Sequence, residues 1–181
     1  MRKLKVEELN RLSKEDFKCA EKIPLVIILD NVRSQNNIGS FFRTCDAFLV
    51  NKIYLCGITS VPPNKEIHKT ALGATETVNW EYYKNTIDIV KILKQQGYII
   101  LAAEQTDQSI FIKDYSVSIN MKYAIIFGHE MKGVDQDVIN ECNSSIEIPQ
   151  FGTKHSLNVA VSAGIIIWYF FETLKQGLQK V

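Results

Sequence analysis

What the chain lacks removes most of the common chemistries. Its four cysteines, Cys19, Cys45, Cys56 and Cys142, make no C-x-x-C pair, so the usual sign of a zinc ribbon or a thioredoxin-like site is missing. Residues 1–22 are charged throughout and do not read as a secretory leader. Buried, reduced thiols in a cytoplasmic protein are therefore expected. The three histidines, His68, His129 and His155, have no metal-like spacing, and no metal is expected. None of the nine glycines forms G-x-G, which leaves no dinucleotide fingerprint. Gly128 and Gly133 have the spacing of a phosphate loop, but Val134 and Asp135 follow where Lys and Ser/Thr are required, which excludes a P-loop NTPase. Ser156 adjoins His155 without a G-x-S-x-G turn, a poor basis for serine-hydrolase chemistry. The longest near-continuous apolar run, Val159–Phe171, has 13 residues and includes Ser162 and Gly164. That is short of the ~20 needed to span a bilayer, so no membrane partner is expected. A net charge of +1 sets up no global field for nucleic acid and leaves only local basic patches.

What is present reads as one α/β domain. The 181 residues, 46% hydrophobic and 23% charged, suffice for a sizeable core. Residues 1–22 predict a short N-terminal helical extension with Ser13 as a cap, and residues 23–181 the main domain. Leu25–Leu29, Lys52–Cys56, Tyr98–Ala103 and Tyr123–Phe127 predict strands, the apolar runs among them buried on both faces. Glu76–Tyr83 is strand-like and Ile146–Ile148 a short strand ending at Pro149. Helices are expected from Asn37, placing Arg43 on the second turn, and over Thr86–Gln96, Asp135–Cys142 and the apolar run from Val159. Asn85 would cap the second of these and Gly97 stop it. Gly57–Leu72, with Pro62 and Pro63, reads as loop. Strands alternating with helices predict a mainly parallel sheet, whose ligands bind beyond the carboxyl ends of the strands.

Three stretches share a strand–polar loop–helix form: residues 29–43, 127–134 and 146–171. They are expected to meet at one site, since loops held by rigid elements carry function. Taken singly, their residues have structural explanations. Asn37 reads as a helix cap, Glu130 as a first-turn acid, Gly133 as a turn residue and Arg43 as half of an ion pair.

As a set, the blocks resemble the signature motifs of the SpoU/TrmH family, in the SPOUT superfamily of RNA methyltransferases. The first, N-x-R-x-x-x-N-x-G-x-x-x-R-T-x-x-x-F, is matched by Asn31, Arg33, Asn37, Gly39, Arg43, Thr44 and Phe48. The second, G-x-E-x-x-G-hydrophobic, is matched by Gly128, Glu130, Gly133 and Val134. The third, I-P-x-x-G-x-x-x-S-L-N-V, is matched by Ile148, Pro149, Gly152, Ser156, Leu157, Asn158 and Val159. Gln150-Phe151 replaces a commoner Met-containing pair, and His129 stands where Asn is frequent. The resemblance covers about residues 24–172 and implies an α/β fold, mainly parallel, with a C-terminal deep trefoil knot. It also implies transfer of a methyl group from S-adenosylmethionine (AdoMet) to a ribose 2′-hydroxyl of RNA, without a metal.

On this resemblance the catalytic set is Arg43, Glu130, Ser156 and Asn158. AdoMet would lie against Ala103, Glu104, Gly128, Glu130, Ile148, Ser156, Leu157 and Asn158, and RNA against Arg33, Asn37, Arg43 and Lys154. Ser156 and Asn158 would position Arg43, the ribose or the cofactor; Glu130 would orient its loop, accept hydrogen bonds or pair with Arg43. Lys65, His68 and Lys69 are further candidate phosphate contacts. A homodimer through the knot region and the C-terminal helix is implied, and a tRNA substrate is favoured over rRNA because the chain is compact. Two alternatives stand beside this reading: a catalytically inactive RNA-binding protein of the same fold, and a base-directed SPOUT methyltransferase.

Overall fold

Alternate side chains of the central strands bury on opposite faces of one sheet. Leu25, Ile27 and Leu29 of β1 (Ile23–Asp30) share one cluster with Ile53, Leu55, Tyr123, Ile125 and Phe127. Val26 and Ile28 share the other with Tyr54, Cys56, Ala124 and Ile126. This two-sided burial is why β1 reads as a continuous apolar run, each buried aliphatic side chain contributing about 1.5–3 kcal/mol. The computed structural model describes residues 1–178, with the backbone alone at Val6. The end of the segment 23–181 lies outside the described residues.

In chain order, a 3-10 turn (Val6–Leu9) and α1 (Lys14–Cys19) precede β1. Then come α2 (Gln35–Ala47), β2 (Val50–Cys56), α3 (Lys65–Ala71), β3 (Trp80–Tyr83), α4 (Thr86–Gln95), β4 (Tyr98–Ala103), β5 (Ile110–Phe111) and β6 (Lys122–Phe127). The chain continues with α5 (Gln136–Asn140), β7 (Ser144–Glu147) and α6 (Val159–Leu174). Every strand pair is parallel, and the order is β3-β2-β1-β6-β4-β7-β5. Buried residues of α2, α3 and α6 join the first cluster and those of α4 and α5 the second, giving helices on both faces. Strand order reverses at β1: β2 and β3 lie to one side, β6, β4 and β7 to the other. A crevice at the carboxyl ends is expected at such a switch point.

Two sequence expectations fail locally. Residues 65–71 are helical, not loop: the Asn64 side chain accepts from the N–H groups of Glu66 and Ile67 at 2.9 and 3.3 Å, while Ile67 and Ala71 bury one turn apart. The third strand along the chain begins at Trp80, because Ala74–Glu76 forms a 3-10 turn. Boundaries also shift elsewhere. Helix α2 starts at Gln35 with Ser34 as its cap, so Asn37 lies inside it and Arg43 on its third turn. Strand β7 covers Ser144–Glu147 and leaves Ile148 to the following loop. Asn85 precedes α4, but its amide binds the Asp88 carboxylate at 3.0 Å instead of the backbone. Gly97 ends that helix at φ +82°.

The N-terminal segment is anchored by the buried Phe17, the Ser13 cap and an ion pair from Lys14 to Glu76 at 2.5 Å. Cys45 and Cys56 are buried and Cys142 half-buried, whereas Cys19 is exposed, contrary to expectation; all four are free thiols. Burial pushes the Cys56 and Cys142 thiols up to about 12. Among the described residues, no helix is long and apolar enough to cross a membrane.

Candidate active site

The loops after β1, β6 and β7 converge on one carboxylate. Glu130 accepts from the backbone N–H groups of Arg33 and Ser34 at 3.0 and 2.9 Å, and from the Asn37 amide at 2.8 Å. Asn37 in turn accepts from the Asn158 amide at 3.2 Å. The Asn158 carbonyl oxygen caps α6, accepting from Ala160 and Val161 N–H at 2.9 and 3.4 Å. One relay, Glu130–Asn37–Asn158, thus ties all three motif loops. Partial burial raises the Glu130 pKa. The Asn37 amide and the backbone donors of Glu130 itself, Ser34 and Arg33 lower it by more, so it lies below the ordinary glutamate value.

The sign of this shift sets a pH dependence. A carboxylate with a depressed folded pKa stabilises the fold above its unfolded value, about 4.3, and loses that contribution as pH falls through the folded value. Glu130→Gln is expected to be less stable at neutral pH by about 1–3 kcal/mol, because charge-assisted bonds become neutral ones. Its stability should then fall less steeply than wild type between about pH 5 and pH 3. Urea melts across that range check it; parallel loss in both proteins would show that this carboxylate is not the acid-labile tie.

A second strut closes the loop after β6. Glu104, just past β4, accepts from the N–H groups of Val134 and Gln105, both at 3.0 Å. His129 and Gly133 exchange backbone bonds of 3.0 and 2.7 Å. Gly133 has φ +70°, and a Cβ there would lie 2.1 Å from the Glu104 carboxylate. A Cβ on Gly128 would lie 2.1 Å from the Gly133 carbonyl carbon and 2.2 Å from Val134 N. Backbone leaves room only for hydrogen at Gly128, whereas at Gly133 the positive φ favours glycine and a side chain would also displace the Glu104 carboxylate. Beneath, the buried Asp30 accepts from Thr86, Asn31 and the Asp135 N–H, holding the ends of β1 and the β6 loop together. Burial raises its pKa despite these donors.

Between the loops after β4, β6 and β7 lies a cavity of about 490 Å³, within the range of about 300–1,000 Å³ usual for small-molecule clefts. Ala103, Glu104, Gly128 and Glu130 line one side, and Ile148, Ser156, Leu157 and Asn158 the other. The Ser156 hydroxyl makes no hydrogen bond among the described residues and is free for a ligand. Gln105, Met131, Lys132, Ser162 and Ile166 also line it. Gln105, Met131 and Lys132 fall in the loops Ala103–Asp107 and Phe127–Gly133 that the family resemblance assigns to AdoMet, whereas sequence reasoning missed Ser162 and Ile166, together with Ser34 and Asp30. Only their place beside the motifs could have flagged them.

Arg43 stands apart from the cavity. Helix α2 turns its Asn36–Ser40–Arg43–Ala47 face outward, and Arg43 is exposed, with no ion pair or hydrogen bond among the described residues. Six residues from Asn37, it lies about 9 Å farther along the helix. Within one chain, Arg43 therefore pairs with none of Glu130, Ser156 and Asn158; of the alternatives weighed for them, Glu130 accepts hydrogen bonds, and Ser156 and Asn158 line the cavity. Arg33 and Lys154 are likewise exposed and unpaired within the described residues. No group of His, Cys, Asp and Glu among the described residues could hold a metal.

Comparison with known proteins agrees with this geometry. The A. aeolicus TrmH/SpoU tRNA modifying enzyme superposes with a TM-score of 0.78 at 25% identity, over 90% of this chain and 81% of that one. The AdoMet-bound rRNA methyltransferase from Sinorhizobium meliloti shares the fold, with a TM-score of 0.78 at 24% identity over 91% of this chain and 62% of that one. The 23S rRNA (guanosine-2'-O-)-methyltransferase RlmB of Neisseria meningitidis is 31% identical over 87% of this chain and 60% of its own length. RlmB of Vibrio parahaemolyticus is 30% identical over 95% of this chain and 67% of its own length. The chain thus spans about two thirds or less of these curated relatives. The model of the SpoU rRNA Methylase family matches residues 24–168, and the chain belongs to that family.

Proposed function

We propose that this chain transfers a methyl group from AdoMet to a ribose 2′-hydroxyl of RNA. The observation that carries the reading is the relay from Glu130 through Asn37 to Asn158, which ties the first family motif to the second and third, and those two line a ligand-sized cavity. The cavity suits AdoMet: Ala103, Ile148 and Leu157 offer apolar surface, and Ser156 a free hydroxyl. Glu104 and the two glycines fix the backbone of the β6 loop against it. When bound, AdoMet would supply an electrophilic methyl group, whose bond to sulfur breaks as the neutral thioether S-adenosylhomocysteine leaves. The protein's share is the nucleophile, a weakly acidic hydroxyl that must be aligned and stabilised as it gains negative charge. A guanidinium stays protonated, so Arg43 acts as an electrostatic clamp on that oxygen and the neighbouring phosphate, which relays the hydroxyl proton to solvent. Arg33 and Lys154 hold phosphates at the rim.

The distance of Arg43 from its own cavity supports the homodimer. Helices α2 and α6 run side by side: Asn37 meets Asn158 at one end, and Phe48 meets Trp168 and Phe171 at the other, with ring centroids 5.5 and 5.2 Å apart. Helix α6 exposes Val161, Ile165 and Trp168 at 52, 41 and 49%, an apolar stripe suited to a second copy. Pairing through this stripe would present Arg43 to the partner's cavity. The proposal includes the trefoil knot; β6 inserted between β1 and the earlier strand β4 is a crossover that supports it. It also includes the cytoplasm as the place of action and residues 23–181 as the catalytic domain.

The test is incubation with labelled AdoMet and undermethylated tRNA or, separately, rRNA, followed by digestion to nucleosides. Label in a 2′-O-methylnucleoside from either pool is expected, and the pool names the RNA class. Label in a base would convert the reading to base methylation. RNA binding without AdoMet binding would convert it to an inactive RNA-binding protein.

A further inference from the structure

Away from the cleft, a cavity of about 700 Å³ opens between α3 and the start of β3. Trp80 is half-buried, packs on the main core and contributes to the lining, and its indole N–H has no acceptor among the described residues. Pro62, Pro63, His68 and Lys65 also line it. Both acids at its border are already neutralised: Glu66 by Lys69 at 2.6 Å, and Glu76 by Lys14 at 2.5 Å. Lys65 is exposed and unpaired within the described residues, so the rim keeps a net positive charge.

We propose that this pocket receives an unpaired nucleobase of the RNA substrate, outside the methylated nucleotide. The proposal rests on the reading of the chain as an RNA enzyme. A Trp anchored in the core, with rigid prolines and an imidazole around an open space, suits a planar heteroaromatic ring, and the free lysine suits the attached phosphate. The indole N–H supplies a donor for a base edge. The loop leading into Pro62 is tied to the first motif loop by Val32 N–H to Thr59 Oγ1 at 3.0 Å and by the Gln35 amide to Ser60 Oγ at 3.3 Å. That motif loop carries Arg33 and is held by Glu130. RNA leaving the cleft past Arg33 therefore meets the proline wall next.

Fluorine NMR of the full chain labelled with 5-fluorotryptophan tests this, because the chain has two tryptophans, Trp80 and Trp168. Trp80→Phe assigns the lines. A single-stranded oligoadenylate is expected to move the Trp80 line, and tripolyphosphate, which has charge but no base, to leave it in place. Oligoadenylate affinity should fall about 5- to 150-fold in Trp80→Ala, the range for one lost base stack. Should that variant unfold, His68→Ala, an exposed change, must also weaken binding. Lys65→Gln should reduce the salt slope by about one. A Trp80 line unmoved at RNA saturation overturns the proposal, as does one that moves with protein concentration alone, which would seat a second copy there. Calorimetric titration of AdoMet on the same sample separates the two readings. AdoMet binding with a static Trp80 line removes only the pocket. A moving line without AdoMet binding removes only the enzyme.

Discussion

Arg43→Ala is expected to lower methyl transfer by at least about 10²–10³-fold, the cost of removing one group that stabilises a developing oxyanion. AdoMet affinity should stay within about twofold, the effect of an ordinary surface substitution. The two halves of the expectation follow from one observation: Arg43 is exposed, lines no part of the AdoMet cavity and supports no other residue. Its loss disturbs neither the loops nor the core. Arg43→Lys should recover part of the rate, since charge is kept but the planar two-pronged contact is lost. Single-turnover rates beside calorimetric AdoMet binding check both halves. Near-wild-type transfer would remove Arg43 from the chemistry. A parallel loss of AdoMet binding would place it in the cofactor site instead.

How much of this was legible in the sequence depends on how far each signal is local. Strands β1, β4 and β6 announce themselves because both faces bury, leaving apolar runs. The motif loops announce themselves because Gly128 has no room for a side chain, Gly133 sits at a positive φ, and Asn37 bonds both Glu130 and Asn158. Helix α3 stayed hidden because only Ile67 and Ala71 bury, too few to show a period against six residues of polar or charged surroundings after Pro62-Pro63. The start of α2 was misplaced because Asn37 and Ser34 are both good caps by type; Asn37 is drawn instead to Glu130, leaving the cap to Ser34. The short edge strand β5 has two residues, both exposed, and carries no pattern at all. Least legible was the direction of Arg43. Motif membership groups residues by chain position, whereas the direction of a side chain on α2 depends on where the helix starts and which face α6 covers. The Trp80 pocket was illegible for a related reason: it joins α3, which had been read as loop, to the start of β3.

The separation of Arg43 from the cavity has a second expected result. Gly128→Ala alone should abolish transfer, by a different route. The added methyl meets the backbone of Gly133 and Val134 at 2.1–2.2 Å, where no side chain can yield, so the β6 loop must shift. Overpacking of this size costs about 1–3 kcal/mol or more, and AdoMet affinity should fall by about 5- to 150-fold or beyond. Arg43→Ala spoils the clamp and Gly128→Ala spoils the cleft, so each variant is inactive alone. In a dimer whose clefts borrow the partner's arginine, co-expression of the two restores function. Random pairing makes half the dimers mixed, and each mixed dimer holds one intact cleft facing one intact Arg43, so activity should return to about a quarter of wild type. Dimers whose clefts use their own arginine contain no intact pair and stay inactive, and so do monomers. Activity in the co-expressed mixture, against each variant purified alone, therefore decides between one site per chain and a site completed by two copies. A mixture as dead as its parents would remove the shared site and leave Arg43 to reach its own cleft by a movement of α2.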